Sequence, residues 1–298
     1  MRVLLTGSTG QLGSAMQALG AADLTLLPHD RSALDLAGDG AAIEAAVRAS
    51  RPEVILNAGA YTAVDQAEEE PELAHRVNGS AVGALARAAN ATGALLLQVS
   101  TDYVFDGRLG RAYREDDAPN PLGVYAASKL AGEQEAAKAA RHLVVRTSWV
   151  YSHVGKNFVR TMWRLTGEQP RLRVVGDQFA RPTSADQLAG ALLDLLRRHR
   201  DGEALPAMLH VTGGGDETSW RDLAALIAEE RAALRGGDVV PVDPIGTAEY
   251  GAPAPRPARS TLDVTKAETL GVAPGDWRDE VTRIVGILAA KDSEEANR

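Results

Sequence analysis

The chain opens on the stretch that decides its fold, Met1-Arg-Val-Leu-Leu-Thr-Gly-Ser-Thr-Gly-Gln-Leu-Gly13. The apolar run before the glycines predicts a β-strand, and a helical pattern follows them. A strand, a glycine turn and a helix in this order place backbone amides around an anion, and glycine lets the backbone approach a pyrophosphate closely. Gly7, Gly10 and Gly13 give the spacing G-x-x-G-x-x-G, not the commoner G-x-G-x-x-G. We interpret the stretch as a dinucleotide-binding turn, against the alternative of an ordinary strand-to-helix turn.

Strand and helix patterns then alternate as far as residue 147. Further apolar runs predict strands at 24–27, 54–56, 94–99 and 142–147. We count the strand at 142–147 as the sixth. A long helix is predicted over 71–91, and the proline-rich stretch 241–259 is expected to be an ordered crossing loop or a lid. The alternation favours an α/β fold with a Rossmann-like, doubly wound parallel sheet. We expect an NAD(P)-binding domain over residues 1–150 and a smaller, mixed substrate-binding region over 151–298, between which the chain can interleave.

Composition and charge exclude several classes of protein. The 298 residues carry a formal net charge of −8 and no dense basic run, so we expect no nucleic-acid partner. The chain has no cysteine, which excludes disulfides, thiolate catalysis and cysteine-ligated metals. No apolar run approaches the ~20 residues that span a bilayer, and the opening residues form a strand instead of a secretory signal. We therefore expect a cytoplasmic protein that does not associate with a membrane.

Two further stretches fall where a doubly wound sheet meets a nucleotide. At the end of the second strand, Asp30 suits ribose hydroxyls and Arg31 suits a 2′-phosphate, so the sequence does not choose between NAD and NADP. After the third strand, the small residues of Asn57-Ala-Gly-Ala-Tyr61 permit the close approach of adenine and its ribose. Each stretch has a plain alternative, which is an exposed charged loop in the first case and a tight turn in the second.

A tyrosine and a lysine form the most specific chemical pattern. Tyr125 and Lys129 are four positions apart and share a helix face, and Thr101 lies at the end of the preceding strand. A tyrosine, whose ordinary pKa is ~10, becomes an acid–base catalyst when a neighbouring Lys⁺ and an oxidised nicotinamide lower that pKa. Tyr125 would protonate a carbonyl oxygen as hydride arrives, Thr101 would polarise the carbonyl, and Lys129 would hold the nicotinamide ribose. The alternative is a surface tyrosine stacked on a lysine stem.

Several strings of residues carry a resemblance, namely Gly7-Ser-Thr-Gly-Gln-Leu-Gly13, Asn57-Ala-Gly-Ala-Tyr-Thr-Ala-Val-Asp65, Ser100-Thr-Asp-Tyr-Val-Phe105, Tyr125-Ala-Ala-Ser-Lys-Leu-Ala-Gly-Glu133, Arg146-Thr-Ser-Trp-Val-Tyr151, Asp177-Gln-Phe-Ala-Arg-Pro-Thr183 and Arg256-Pro-Ala-Arg-Ser260. With them the chain resembles the extended short-chain dehydrogenase/reductases that act on nucleotide sugars, and within these the dTDP-4-dehydrorhamnose reductase family. The resemblance covers nearly the whole chain. It implies reduction of the 4-keto group of dTDP-4-dehydro-6-deoxy-L-mannose (the L-lyxo-4-hexulose) to dTDP-L-rhamnose, with NADPH or NADH as cofactor and the dTDP-sugar as small-molecule partner.

The resemblance also implies roles for individual residues. The catalytic residues would be Thr101, Tyr125 and Lys129. The cofactor would be bound by Gly7, Gly10, Gln11, Leu12, Gly13, Asp30, Arg31, Asp35, Leu36, Gly59, Ala60, Tyr61, Val99, Tyr125 and Lys129. The sugar would be contacted by Thr101, Asp102 and Trp149, the last of which would otherwise be a core aromatic. At least one of five arginines would hold the substrate diphosphate, among Arg171, Arg173, Arg181, Arg256 and Arg259.

Two departures from related patterns bear on the alternatives. Some relatives are described as dimers bridged by a metal that an acidic residue after the glycine turn helps to hold. Here that stretch is Ser14-Ala15-Met16, so we expect no metal site, and a homodimer that is not metal-bridged stays open. Dehydratases with tightly held NAD⁺ place Asp-Glu after the catalytic threonine, whereas Asp102 is followed by Tyr103. Another 4-ketoreductase, epimerase or dehydratase of nucleotide sugars, or a non-catalytic NADP-binding subunit like that of methionine adenosyltransferase, stays an alternative.

Overall fold

The computed structural model describes residues 1–20 and 22–296. Its strands are β1 Arg2–Thr6, β2 Thr25–His29, β3 Val54–Asn57, β4 Leu95–Thr101, β5 His142–Thr147, β6 Val150–Tyr151, β7 Leu172–Val175, β8 Phe179–Ala180, β9 Thr183–Ser184, β10 Met208–His210, β11 Thr218–Ser219 and β12 Val242–Ile245. Its α-helices are α1 Gln11–Leu19, α2 Gly40–Ser50, α3 Val64–Ala67, α4 Pro71–His75, α5 Ala81–Thr92, α6 Val124–Ala136, α7 Phe158–Glu168, α8 Ala185–Arg200, α9 Trp220–Arg235, α10 Thr247–Tyr250, α11 Thr265–Thr269 and α12 Trp277–Ala296.

Six of the strands form one parallel sheet in the order β10-β5-β4-β3-β1-β2. β1 lies between β2 and β3, so the chain leaves β1 toward one edge and later continues toward the other. Such a reversal of strand order opens a crevice outside the carboxyl ends of the strands. The predicted α/β fold with a Rossmann-like parallel sheet is confirmed.

Helices cover both faces of the sheet because the strands are apolar on both sides. On one face α1 and α8 pack their apolar stripes against the strands, with Leu12, Met16 and Leu188 buried. On the other face α2, α5 and α6 do the same, with Ile43 and Leu85 buried. Near-continuous apolar runs are typical of parallel strands that are covered on both faces.

The strand predicted at 142–147 is confirmed as β5, but its place in the strand count and one predicted helix were wrong. Residues 142–147 form the fifth strand of the sheet and not the sixth, which is Met208–His210 from the C-terminal part of the chain. Three residues are too few to give a periodic signal, so this strand was missed. The helix predicted over 71–91 is instead α4, a π-helical segment Arg76–Ser80 and α5 in succession. A π turn contains one extra residue, which a 3.6-residue period does not reveal.

A second core lies in the C-terminal part of the chain. β7, β12, α7, α9 and α12 bury apolar side chains against one another, among them Trp163, Ile227 and Trp277. α12 turns one face into this core, because Trp277, Val281 and Ile284 are buried and Ile287 packs beside them. The proline-rich stretch 241–259 is ordered: it contains β12, which pairs in parallel with β7, and α10.

Candidate active site

A cavity of about 960 Å³ lies outside the carboxyl ends of β1, β3, β4 and β5. One end reaches the glycine turn after β1, and the other reaches Trp149, Trp220 and Arg256. Its wall therefore combines residues of the sheet with residues of the C-terminal part. The strand order accounts for the position, since ligands of doubly wound sheets bind where the order reverses.

The glycines of the first turn serve two purposes. Gly7 has a φ of 63°, and a Cβ on it would lie 2.7 Å from the Cα of Gly59, so the backbones of two turns meet here. A Cβ on Gly13 would lie 2.3 Å from the carbonyl oxygen of Gly7. Gly13 is not part of the cavity wall, and it lets α1 pack on the turn. The wall itself includes Gly7, Gly10, Gln11 and Leu12.

Asp30 and Arg31 are adjacent after β2 but differ in their position relative to the cavity. One carboxylate oxygen of Asp30 accepts hydrogen bonds from the turn that follows, two of them from Ser32 at 2.9 and 2.6 Å, and these lower its pKa. Asp30 is not part of the cavity wall, whereas Arg31, Asp35 and Leu36 are. The Arg31 side chain is 81% exposed and lies 3.5 Å from the carboxylate of Asp35. The guanidinium is therefore available to an anion at this end of the cavity.

The loop after β3 is held in place by an asparagine. Gly59, Ala60 and Tyr61 line the cavity, as expected. Asn78, in the π-helical segment, accepts a hydrogen bond from the Tyr61 N–H at 2.8 Å and donates to the Tyr61 carbonyl at 3.0 Å. It also donates to the hydroxyl of Ser128 on α6 at 2.9 Å. Asn78 thus has partners for its side-chain oxygen and nitrogen, and it ties this loop to the helix that carries Tyr125.

Thr101, Tyr125 and Lys129 meet at the carboxyl end of β4. All three line the cavity. The Lys129 ammonium donates a hydrogen bond to the carbonyl oxygen of Val99 at 2.7 Å, so it spans from α6 to the strand. Both Thr101 and Tyr125 face this cavity, and the Thr101 hydroxyl donates to Asp102. A carbonyl placed in the cavity beside them can receive a proton from the Tyr125 hydroxyl.

The pKa values of this group follow from burial. Burial raises the pKa of Tyr125 to about 12, and the hydrogen bond with Thr101 opposes the rise. We had expected a neighbouring lysine to lower this pKa, but the charge of Lys129 is not among the groups that shift it. Burial also lowers the pKa of Lys129 to about 8, against the attraction of Glu133. At neutral pH the phenol is therefore protonated, which is the state that a proton donor needs.

A buried ion pair anchors α6. The Arg146 guanidinium on β5 binds both carboxylate oxygens of Glu133, at 2.9 and 2.7 Å. Burial and the neighbouring Arg146 lower the pKa of His210 to about 3, so this imidazole is neutral. At the start of the helix, the N–H of Val124 donates to the Glu68 carboxylate at 2.8 Å. These contacts fix the helix at both ends of the face that carries Tyr125.

Asp102 lies against the cavity but faces inward. It lines the wall, as the resemblance implied, yet only 1% of it is exposed. Its carboxylate accepts a hydrogen bond from the Thr101 hydroxyl at 3.1 Å and a second from the hydroxyl of Ser260. Burial raises its pKa to about 7, against these hydrogen bonds. The sequence did not single out the role of Ser260, because no local pattern relates two residues 158 positions apart.

Trp149 is both a wall residue and part of an aromatic stack. It adopts a φ of 47°, which is unusual for a residue other than glycine. Its ring stacks on Trp220, with centroids 3.5 Å apart, and Phe158 contacts the other ring at a centroid distance of 4.6 Å. Gln178 accepts a hydrogen bond from the Trp220 indole at 3.2 Å. The stack supports the substrate end of the cavity from the C-terminal part.

The five candidate arginines are not equivalent. Only Arg173 and Arg256 line the cavity. The Arg256 guanidinium binds the Asp65 carboxylate at 2.9 Å, and Arg173 pairs with Glu249. The others lie outside the wall, with Arg171 paired to Asp243 and Arg259 to Glu217. Of the five candidates, Arg173 and Arg256 are therefore the two that a ligand in the cavity could reach.

Comparison with known proteins accounts for this arrangement. The family model described as RmlD substrate binding domain matches residues 1–289. The chain belongs to this family. Its members among curated proteins include the dTDP-4-dehydrorhamnose reductase of Sinorhizobium fredii, which is 39% identical over 98% of this chain and all of that protein. The enzyme of the same name from Escherichia coli is 39% identical over 97% of this chain and 98% of its own length.

The family resemblance extends to a solved structure with a cofactor. The crystal structure of dTDP-4-dehydrorhamnose reductase from Bacillus anthracis in complex with NADP has a TM-score of 0.86 to this chain at 34% identity. It covers 95% of this chain and 98% of the other. The fold that surrounds the cavity is thus that of a dinucleotide-binding relative.

The part of the chain that the structure describes contains neither a cluster of metal ligands nor a membrane-spanning helix. Over residues 1–20 and 22–296, no group of three or more His, Cys, Asp or Glu side chains is arranged to hold a metal ion. Within the same ranges, every helix falls short of the length and apolar character needed to cross a bilayer.

Proposed function

We propose that this chain reduces the 4-keto group of dTDP-4-dehydro-6-deoxy-L-mannose to dTDP-L-rhamnose, with NADPH or NADH. One observation carries the proposal: Thr101, Tyr125 and Lys129 meet in a single cavity that continues to the glycine turn. Family membership supports the choice of substrate, because the relatives at 39% identity are dTDP-4-dehydrorhamnose reductases.

The residues of the cavity fit a nicotinamide dinucleotide. Gly7, Gly10 and Gln11 line one end of the cavity, and the buried side-chain oxygen of Gln11 has no protein partner. The glycines suit the close approach of the pyrophosphate, and the Gln11 oxygen can accept a hydrogen bond from a hydroxyl or amide of the cofactor. Arg31 and Leu36 would border the adenosine, and Lys129 would hold the nicotinamide ribose. When bound, the cofactor supplies hydride to C4 of the sugar.

The protein groups supply the proton and the orientation. The Tyr125 hydroxyl, whose pKa is about 12, is protonated at neutral pH and gives its proton to the O4 oxygen as that oxygen becomes an alkoxide. The Thr101 side chain, held by Asp102, lines the cavity with Tyr125 and limits where this oxygen can lie. The Trp149–Trp220 stack forms the wall against which the sugar lies. Arg173 and Arg256 are placed for the diphosphate.

The alternatives explain fewer of these residues. A dehydratase needs a carboxylic acid to assist the loss of water, and the residue after Asp102 is Tyr103, which has no carboxyl group. A non-catalytic NADP-binding subunit has no use for a threonine and a tyrosine in one cavity beside a buried lysine. These observations favour the reductase.

A coupled turnover assay tests the proposal. The 4-keto sugar nucleotide is generated in place by the preceding enzymes, and the absorbance of NADPH and NADH is followed in separate reactions. We expect oxidation of the cofactor and dTDP-L-rhamnose as the product. Stoichiometric NAD⁺ in the purified protein, without any oxidation of NADPH or NADH, would instead favour the epimerase or dehydratase.

Three further features are proposed with the function. The division into an NAD(P)-binding domain over 1–150 and a substrate-binding region over 151–298 stays a proposal; β10 and α8 follow residue 150 but lie in the sheet layers. Any homodimer of this chain is proposed to lack a bridging metal, because Ser14-Ala15-Met16 contains no carboxylate. A cytoplasmic location fits a reaction between two small molecules, a nucleotide sugar and a dinucleotide.

A further inference from the structure

Asp102 is a buried carboxylate whose partners are hydroxyls. It is 1% exposed, and its two oxygens accept hydrogen bonds from Thr101 and Ser260. Across residues 1–20 and 22–296, no cationic side chain forms an ion pair with it. Burying a carboxylate without a cation costs free energy, and such groups concentrate at functional sites. The hydroxyls that hold Asp102 therefore bear on its function.

Ser260 belongs to a segment that joins the two parts of the molecule. We call residues 254–261 the strap. On the sheet side, Arg256 binds Asp65 at 2.9 Å and the carbonyl of Thr261 accepts from the Tyr113 N–H at 2.8 Å. On the other side, the Ser260 N–H donates to the carbonyl of Phe179 at 2.9 Å. With its backbone held from both sides, the strap presents the Ser260 hydroxyl at a fixed point.

The hydrogen bonds lead from the strap to the residue beside the reacting tyrosine. The Ser260 hydroxyl binds Oδ2 of Asp102, and the Thr101 hydroxyl binds Oδ1 at 3.1 Å. Thr101 and Tyr125 line the same cavity. A carboxylate held at one oxygen cannot rotate freely about its Cβ–Cγ bond, so its other oxygen keeps one direction.

We propose that Ser260 is a positioning residue for the reaction. It fixes the carboxylate of Asp102, and through Asp102 it fixes the Thr101 hydroxyl beside Tyr125. The inference rests on the proposed function, since the group positioned is the one that limits where the 4-keto oxygen can lie. The strap then contributes to catalysis by positioning Thr101, which neither the glycine turn nor the Tyr125–Lys129 pair does.

Replacing Ser260 tests the proposal. We expect Ser260→Ala to lower kcat about tenfold or more, because a hydrogen bond to a charged group is lost at the reacting centre. The dissociation constant for NADPH should stay within about twofold, since the cofactor end of the cavity is unchanged. Ser260→Thr keeps a hydroxyl and should recover most of the rate. Thr261→Ala is the matched control, because its hydroxyl binds Glu217 at 2.6 Å on the same strap.

A double-mutant cycle separates positioning from general stability. If Ser260 acts through Asp102, Ser260→Ala should cost nothing further in a protein that already carries Asp102→Ala, which has no group to accept the Ser260 hydrogen bond. Losses in kcat that multiply, or a Ser260→Ala protein that also loses NADPH binding, would overturn the proposal. A normal kcat in Ser260→Ala, measured alongside an active unaltered protein, would also overturn the proposal. An unaltered protein without turnover would instead contradict the proposed function, and this inference with it.

Discussion

Arg31 and Asp30 are adjacent in sequence but differ in what they offer a cofactor. Asp30 caps the turn that follows it, whereas the Arg31 side chain is 81% exposed on the cavity wall. Its neighbour Asp35 lies at 3.5 Å, which is a loose surface pair of small energetic value. A 2′-phosphate would therefore gain a guanidinium here at little cost, and we expect tighter binding of NADPH than of NADH.

Arg31→Ala should raise KM for NADPH about tenfold and change KM for NADH by less than about twofold, because only NADPH has the phosphate that the arginine meets. The two constants are measured in the coupled assay. Arg48→Ala, in an exposed pair with Glu44 outside the cavity wall, is the control. Equal changes for the two cofactors would show that Arg31 does not read the 2′-position.

Lys129 makes stability depend on pH. Its folded pKa is about 8, below the ordinary value of 10.5, so between these values the unfolded chain binds more protons than the folded one. Burying the charged ammonium costs its full free energy below pH ~8, and this cost decreases as the pH rises. The free energy of unfolding therefore increases with pH. From pH ~8 to ~10 we expect the unaltered protein to gain up to about 2 kcal/mol relative to Lys129→Met. Parallel stability curves in urea titrations would contradict this.

At the scale of elements, α6 depends on a buried ion pair. Glu133 and Arg146 are 5% and 2% exposed and are joined by two hydrogen bonds. Removing one partner of such a pair leaves a buried charge unpaired. The pair lies one turn beyond Lys129, so it fixes the face of the helix that carries the reacting groups.

Glu133→Gln should lower the free energy of unfolding by about 3 kcal/mol, because Arg146 keeps its charge and loses a charged partner. Urea-induced unfolding measures the difference. Glu135→Gln on the same helix is the control, since its pair with Lys138 is exposed and should be worth less than about 1 kcal/mol. Similar losses in the two variants would mean that the buried pair does not anchor α6.

At the scale of the whole molecule, the site lies between the sheet and the C-terminal part. The sheet supplies the glycine turn, Thr101 and Asp102, and the C-terminal part supplies Trp220 and Ser260. The strap and the aromatic stack hold these contributions together. Changes in the C-terminal part should therefore affect turnover as well as substrate affinity.

The features that could be predicted from the sequence are those that depend on residues close together in the chain. The glycine turn, the first four strands of the sheet and the Tyr125–Lys129 face are local patterns of a few residues, and the structure has them where expected. The three-residue strand β10 has too few residues for a period, and the π-helical segment adds a residue that a period cannot show. The contact between Asp102 and Ser260 joins residues 158 positions apart, so it depends on the completed fold.

The most direct measurement is kcat of Tyr125→Phe with the 4-keto sugar nucleotide and NADPH. We expect a loss of about 100-fold or more, because the proton donor is gone, with an NADPH dissociation constant within about twofold of the unaltered protein. Tyr113→Phe, which removes a phenol bound to Asp106 outside the cavity wall, should keep its rate. A Tyr125→Phe protein that turns over near the normal rate would contradict the assignment of Tyr125 as the proton donor.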